Sequence, residues 1–255
     1  MILDVEAQSD VGCVREHNED MILVGETLVR DAGASPSLAV ADGVGRALLA
    51  VADGMGGGLA GEEASEIALT RVRQVMAAMP DDLDPEELAE VFATWARETH
   101  ARLMALGASD PARAGMGTTV VGLLAYNGRG YRFHAGDSRL YRLRQGQLAR
   151  LTRDHSVREL RGDTDSPSNL ILNSLGGGAD SWLEFAPLEG DLRPGDRYLL
   201  SSDGLHDLVP EATLAALLDG ERGFTARTLV NLARTAGGKD NISVILADVR
   251  ASQRP

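Results

Sequence analysis

The sequence predicts an α+β fold built as one domain, and three observations carry that expectation. Short apolar runs recur along the chain and are joined by hairpin turn pairs, Asn127-Gly128 and Gln145-Gly146. Two consecutive helical patterns cover 62–79 and 86–106, and two shorter ones cover 211–218 and 225–236. Four strand-like runs stop at or beside an aspartate flanked by Gly, Ser or Asn. No low-complexity linker or long repeat divides the chain, so one domain is expected over residues 1–255, with its core at about 4–249.

A chain of 255 residues can bury a full core. No apolar run approaches the roughly 18 residues of a membrane span. The first ten residues lack the basic region and apolar stretch of a signal peptide. Cys13 is the sole cysteine, which excludes an internal disulfide and suggests a reducing, cytosolic location. The net charge of −13 argues against nucleic acid or an anionic membrane as partner. That charge is either a solvated surface or, at a phosphate-handling site, a charge that bound metal reverses locally.

Taken in order, Met1–Ala7 alternates apolar and polar residues as a strand does, and Ser9-Asp10-Val11-Gly12 reads as a turn. The polar cluster Arg15-Glu-His-Asn-Glu-Asp20 precedes the strand Met21–Val24. Its arginine can clamp a phosphate bidentately, and Glu19 and Asp20 can support a metal. Ala39-Val-Ala-Asp-Gly-Val-Gly45 is nearly repeated as Ala50-Val-Ala-Asp-Gly-Met-Gly56. Asp42-Gly43 lies between two apolar runs and is expected to be a hairpin turn. Asp53, by contrast, ends a buried strand that runs through Gly54, Gly56, Gly57 and Gly58 into a helix.

The helical stripes Ile67, Ala68, Val72, Val75, Met76, Met79 and Leu88, Val91, Phe92, Trp95, Thr99, Leu103 read as core, and His100 is expected to be exposed. Strands over 118–126 and 130–135 lead to Asp137, and another pair follows around Gln145-Gly146. Asp154 is a candidate helix cap. Residues 157–181 show no period and read as a mobile surface segment. Strand character returns over Trp182–Leu188 and again before Asp203; Asp207 shares its face if a helical turn begins there. Asp240 stands just before the closing strand Ile242–Val249.

Carboxylates gathered at strand ends repel one another unless cations lie between them. Oxygen ligands without thiolate, and without a His pair at zinc spacing, select hard ions such as Mg²⁺ or Mn²⁺. Two such ions can hold a phosphoryl group for in-line attack. Residue types alone leave this reading open beside that of unrelated strand-end turns. Other phosphate chemistries fit worse: Gly54-Met-Gly-Gly-Gly58 lacks the Lys-Ser/Thr ending of a P-loop, and no Gly-x-Ser-x-Gly elbow occurs.

Arg15-Glu-His-Asn-Glu-Asp20, Val51-Ala-Asp-Gly-Met-Gly-Gly57, Gly117-Thr-Thr119, Gly136-Asp-Ser-Arg139, Asp154-His155-Ser156, Ser202-Asp-Gly204 and Asp240-Asn241 follow one another in a specific order. Together, across about residues 4 to 249, they resemble the ordered motifs of the PPM, or type 2C, metal-dependent protein phosphatases. The resemblance implies a four-layer αββα sandwich of two antiparallel β-sheets with helices on both outer faces. It implies that Asp53 bridges two Mn²⁺ or Mg²⁺ ions, that Gly54 binds one through its carbonyl, and that Asp203 and Asp240 complete the other ion's shell. Glu19 would act through water, Asp137 with Asp203 and Asp207 would form a weaker third metal site, and Arg15 would clamp phosphate.

The implied reaction is hydrolysis of phosphoserine and phosphothreonine by a metal-activated water, without a phosphoenzyme. The implied partners are phosphorylated proteins and an opposing Ser/Thr kinase, with the phosphatase itself a cytoplasmic monomer. Three features depart from the family pattern. Met55 stands where some members carry a histidine proposed as general acid. The segment Val157–Leu172 is shorter than the flap of bacterial relatives, and Asn173-Ser-Leu-Gly176 lacks that region's usual arginine. The insertion that carries Asp42 is also unusual. Two alternatives follow: a phosphoprotein-binding domain on the same fold, or a phosphatase dedicated to one regulatory protein such as an anti-sigma antagonist.

Overall fold

The computed structural model describes residues 1–39, 45–162, 170–220 and 225–252. Its first strands are β1 (Ile2–Asp10), β2 (Asp20–Val24), β3 (Thr27–Val29), β4 (Gly33–Ala34), β5 (Ser37–Ala39), β6 (Arg46–Met55) and β7 (Gly117–Thr118). They are followed by β8 (Val120–Tyr126), β9 (Arg129–Ala135), β10 (Arg139–Arg144), β11 (Gln147–Arg150), β12 (Glu184–Pro187), β13 (Arg197–Ser201) and β14 (Ile242–Arg250). The helices are α1 (Leu59–Ala78), α2 (Pro85–Ser109), α3 (Val157–Arg161), α4 (Asp203–His206), α5 (Glu211–Asp219) and α6 (Ala226–Thr235).

Among the described residues the strands form two antiparallel sheets. One runs β11-β10-β13-β14-β1-β4, with β5 also on β1; the other runs β12-β9-β8-β6-β2-β3, with β7 on β6. Period-2 alternation sorts each central strand into two buried faces. On β6 and β2, Leu48, Ala50, Ala52, Met21 and Leu23 pack under α1 and α2, against Ala64, Leu69, Val72, Phe92 and Trp95. The alternate residues Leu49, Val51, Ile22 and Val24 meet Leu3, Val5, Tyr198, Leu200, Ile245 and Ala247 between the sheets. Beyond the second sheet, Leu199, Val244 and Leu246 pack on Leu205, Leu214, Leu229 and Val230 of α4, α5 and α6. Three successive apolar layers therefore hold four layers of secondary structure, the αββα sandwich that the motif resemblance implies.

Local chemistry explains many of the boundaries. Asp84 caps α2 by accepting from the backbone N–H groups of Glu86 and Glu87, Glu87 returns a bond to Asp84 N–H, and Pro85 takes the first helical position. The turns between β8 and β9 and between β10 and β11 place both central residues at positive φ, 50° and 75° at Asn127-Gly128 and 52° and 74° at Gln145-Gly146.

Five expectations are corrected. β1 continues through Ser9 and Asp10 instead of turning there, because β14 pairs along its whole length. Among the described residues the apolar run before Asp42 does not pair with the one after it: β5 joins β1 and β6 joins β2 and β8, in the other sheet. Asp42 itself lies outside the described residues. Ser156, not Asp154, caps α3, accepting from Glu159 N–H, because Asp154 is taken by Arg139. His100 is partly covered, its Nδ1 accepting from Gly176 N–H at 3.0 Å. Of the segment expected to be mobile, 170–181 is tied down: Asn173 is buried and bonds His155 and the backbone of Trp182.

Candidate metal centre

The inward-facing parity that fills the inter-sheet core continues past the last apolar residue of each strand and there turns polar. Ile22 and Val24 lead back to Asp20, Leu49 and Val51 lead on to Asp53, and Leu200 leads to Ser202; Ile245 leads back to Ser243 and Asn241. All of these ends lie at one edge of the sandwich. Asp20 and Asp53 are direct antiparallel partners across β2 and β6. Asp203 opens α4 immediately after β13, and Asp207 N–H bonds Asp203 O at 2.9 Å, one helical turn on, as its spacing predicts.

Backbone contacts hold these groups in place. Thr119 N–H and the Thr118 hydroxyl both donate to Asp53 O, at 2.8 and 2.9 Å. Asp53 N–H donates to Thr119 Oγ1, which lies 2.8 Å from Ser138 Oγ beside Asp137. A Cβ on Gly54 would stand 2.1 Å from Gly61 O and 2.6 Å from Glu19 O, so β6, α1 and the Glu19 backbone can approach only around a glycine. A Cβ on Gly61 would meet the Glu19 carboxyl at 2.8 Å.

The electrostatics are those of crowded, desolvated carboxylates. Burial, and then the charges of Asp20, Asp203, Asp137 and Asp240, push Asp53 well above the usual carboxylate range. Burial first, then Asp137, Asp240 and Asp207, does the same to Asp203. Burial raises Asp20 to about 7 against the opposing hydroxyls of Ser202 and Ser243. Asp137 also rises to about 7, through burial and then the charge of Asp154. Glu19 is raised by burial, with Arg15 opposing.

Among the described residues Glu19 Oε1, Asp20 Oδ1, Asp137 Oδ1 and Asp203 Oδ1 are buried acceptors that face no donor. Such oxygens are costly unless a proton or a cation meets them. The all-oxygen donor set suits a hard divalent cation, so the residues present fit the implied metals.

At the rim, Arg15 Nη2 lies 2.7 Å from Asp240 Oδ2, with both side chains well exposed, 48% and 37%. Arg15 and Asp240 are thus brought together with each other and with the carboxylates. Asp20 proves more central than its sequence neighbours indicate, since it faces Asp53 and accepts from Ser202 Oγ at 2.7 Å. Ser243 escaped the sequence reading, and Thr119, Ser202 and Asn241 stood in the ordered motifs without a role of their own. The available signal was parity: each continues an inward-facing apolar series with a polar residue.

His206, His134 and His155 serve structure. His206 is buried and held far below its usual pKa by desolvation, with Ser201 Oγ on its Nδ1 at 3.1 Å. His134, His155 and Glu184 bring donor atoms within 4.8 Å of one another, the spacing of a metal site. Their hydrogen bonds argue otherwise. His155 Nδ1 accepts from Gly136 N–H and the Asn173 amide, so its Nε2 carries the proton and donates to Glu184 Oε1. His134 Nε2 donates to Arg153 O at 2.9 Å. Neither ring turns a lone pair toward Glu184.

A carboxylate-lined hard-cation centre at one edge of an αββα sandwich is the layout of a metal-dependent phosphatase. The chain belongs to the protein phosphatase 2C family, whose profile matches residues 17–242. It is 34% identical over 260 residues to the serine/threonine protein phosphatase PstP of Mycobacterium tuberculosis, covering 98% of this chain but 45% of that protein's length. The solved serine/threonine phosphatase of S. agalactiae superposes with a TM-score of 0.82 at 28% identity, covering 97% of this chain and 100% of that one. The PstP catalytic domain in complex with two manganese ions gives 0.75 at 33% identity, covering 98% and 99%.

Proposed function

We propose that this chain is a divalent-metal-dependent protein phosphatase acting on phosphoserine and phosphothreonine. The convergence of Asp20, Asp53, Asp137 and Asp203, three of them with a buried oxygen that meets no donor, carries this reading. In it, Asp53, the Gly54 carbonyl, Asp203 and Asp240 would hold two Mn²⁺ or Mg²⁺ ions, with Asp53 shared between them. Glu19 would act through water, and a weaker third ion would fall to Asp137 with Asp203 and Asp207. When bound, the ions supply the positive charge that offsets the carboxylates and lowers the pKa of water.

Arg15 exchanges Asp240 for the non-bridging phosphate oxygens, for which a planar, always-charged fork is suited. Thr118 and Thr119 keep the Asp53 backbone from shifting as charge redistributes. Met55 has no proton to give, so the leaving oxygen is protonated by water and not by that side chain. The domain spans about residues 4–249. Its setting is cytosolic and monomeric, opposite a Ser/Thr kinase, and the net charge of −13 disfavours nucleic acid and anionic membranes as partners. Among the described residues no helix is long and apolar enough to cross a membrane.

The test is hydrolysis of a phosphothreonine peptide with Mn²⁺ or with EDTA, for wild type, Asp53→Ala and Asp203→Ala. Turnover that needs metal and is lost in both variants is the expected result. A folded wild type inactive with every divalent ion would overturn the reading in favour of a phosphoprotein-binding domain.

A further inference from the structure

Arg15 sits on residues 11–19, a stretch with no strand or helix of its own. Its position must therefore come from contacts with other parts of the chain. One buried side chain makes three of them. Asn241, 4% exposed, donates from Nδ2 to Val11 O and to His17 O, each at 2.9 Å, and accepts Glu19 N–H on Oδ1 at 2.8 Å. Those carbonyls lie on either side of Arg15, so one amide grips the loop before and after the guanidinium-bearing residue.

Nearby backbone contacts complete the dock. Cys13 N–H donates to Gly238 O at 2.8 Å, and a Cβ on Gly12, at φ +84°, would lie 2.2 Å from Asp240 O. Asn241 N–H also bonds Asp240 Oδ1 at 2.9 Å, and the other oxygen of that carboxylate receives Arg15. The side-chain amide suits this place because two carbonyls and one N–H need two donors and an acceptor from a single group.

We propose that Asn241 is a positioning residue for Arg15: it fixes the path of residues 11–19 so that the guanidinium is aimed at phosphate before substrate arrives. The proposal rests on the phosphatase reading above. An arginine on an unpinned loop would have to be ordered at each binding event, which weakens phosphate capture.

The test is a double-mutant cycle in the full chain with Mn²⁺ and a phosphothreonine peptide, using Asn241→Ala, Arg15→Ala and the pair. Asn241→Ala is expected to lower kcat/KM by roughly 10–100-fold, the usual scale for a supporting residue. In the Arg15→Ala background the same change is expected to cost less than about 3-fold, because its effect passes through Arg15. An equal loss in both backgrounds, or wild-type kinetics in a folded Asn241→Ala, would overturn the proposal. Asn241→Ser, which keeps one donor, serves if the alanine variant does not fold.

A second readout is independent of activity: trypsin cleavage after Arg15 in the folded protein. Release of the loop is expected to speed it at least about 10-fold in Asn241→Ala, whereas an unchanged rate would refute the pinning. A wild type without turnover would defeat the phosphatase reading, and the cleavage rate would still decide whether Asn241 holds the loop.

Discussion

Replacing Asp20 by asparagine should stabilise the metal-free protein at alkaline pH and weaken its response to metal. Asp20 is fully buried opposite Asp53, and its pKa rises from the ordinary 3.8 to about 7. A carboxyl whose folded pKa is raised contributes stability that is present below about pH 4 and is lost as pH climbs toward 7. At pH 8 the buried charge costs about 4 kcal/mol relative to its neutral form, taking 1.36 kcal/mol for each tenfold change. Asparagine removes that cost and keeps an oxygen for the Ser202 hydroxyl, but it sets an NH₂ where Asp20 Oδ1 has no partner. That mismatch returns about 1–3 kcal/mol, leaving a net gain of about 1–3 kcal/mol at pH 8 and, at pH 5, where the linkage cost is only about 1.6 kcal/mol, anything from a gain of about 0.5 to a loss of about 1.5 kcal/mol.

Thermal denaturation in EDTA reads the effect directly. At roughly 2–4 °C per kcal/mol for a chain of this size, the variant should melt about 2–12 °C above wild type at pH 8. Saturating Mn²⁺ at 100 times its Kd should restore about 2.7 kcal/mol to wild type and less to the variant. A variant that melts below wild type at pH 8 in EDTA would refute the reasoning, because Asp20 could not then be carrying an uncompensated buried charge.

Two further outcomes follow from packing and pairing. Gly54→Ala forces a Cβ to within 2.1 Å of Gly61 O, which neither β6 nor α1 can yield without separating. It should cost about 3 kcal/mol or more and abolish turnover, as measured by a denaturant melt and by phosphopeptide hydrolysis. Arg139 holds Asp154 bidentately at 2.9 and 2.6 Å, with 17% and 9% of their side chains exposed. Arg139→Ala leaves that carboxylate only the looser Arg150 contact at 3.5 Å and should cost about 2–3 kcal/mol in the same melt, whereas Asp154→Asn with Arg139→Ala should recover part of it.

The parts of this fold that are governed by neighbouring residues were legible in the sequence. Asn127-Gly128 and Gln145-Gly146 need positive φ at both positions, and the helices carry their apolar stripes in plain view. Asp53, Asp137 and Asp203 stood out because each carboxylate abuts Gly or Ser at a strand end, and the ordered motifs then identified the family. Pairing between distant segments was not legible. The Asp42 repeat invites a local hairpin, yet β5 extends the β1 sheet, and nothing near residue 39 reports that.

Asp20 looked like one acid in a polar cluster; only the β2–β6 register sets it against Asp53. Asp154 has the composition of a helix cap, but a half-buried arginine from β10 outcompetes a backbone N–H for it. Asn241 could be matched to a motif, but the three groups it serves lie more than 200 positions away in the chain.

If Asp53 and its neighbours hold two divalent ions close together, each ion must sense the other magnetically. Electron paramagnetic resonance of the wild-type protein titrated with Mn²⁺ tests this without reference to substrate. An exchange-coupled pair of Mn²⁺ ions is expected in wild type, collapsing to uncoupled or unbound ions in Asp53→Ala. Only isolated Mn²⁺ in wild type, or a coupled pair that survives Asp53→Ala, would contradict it.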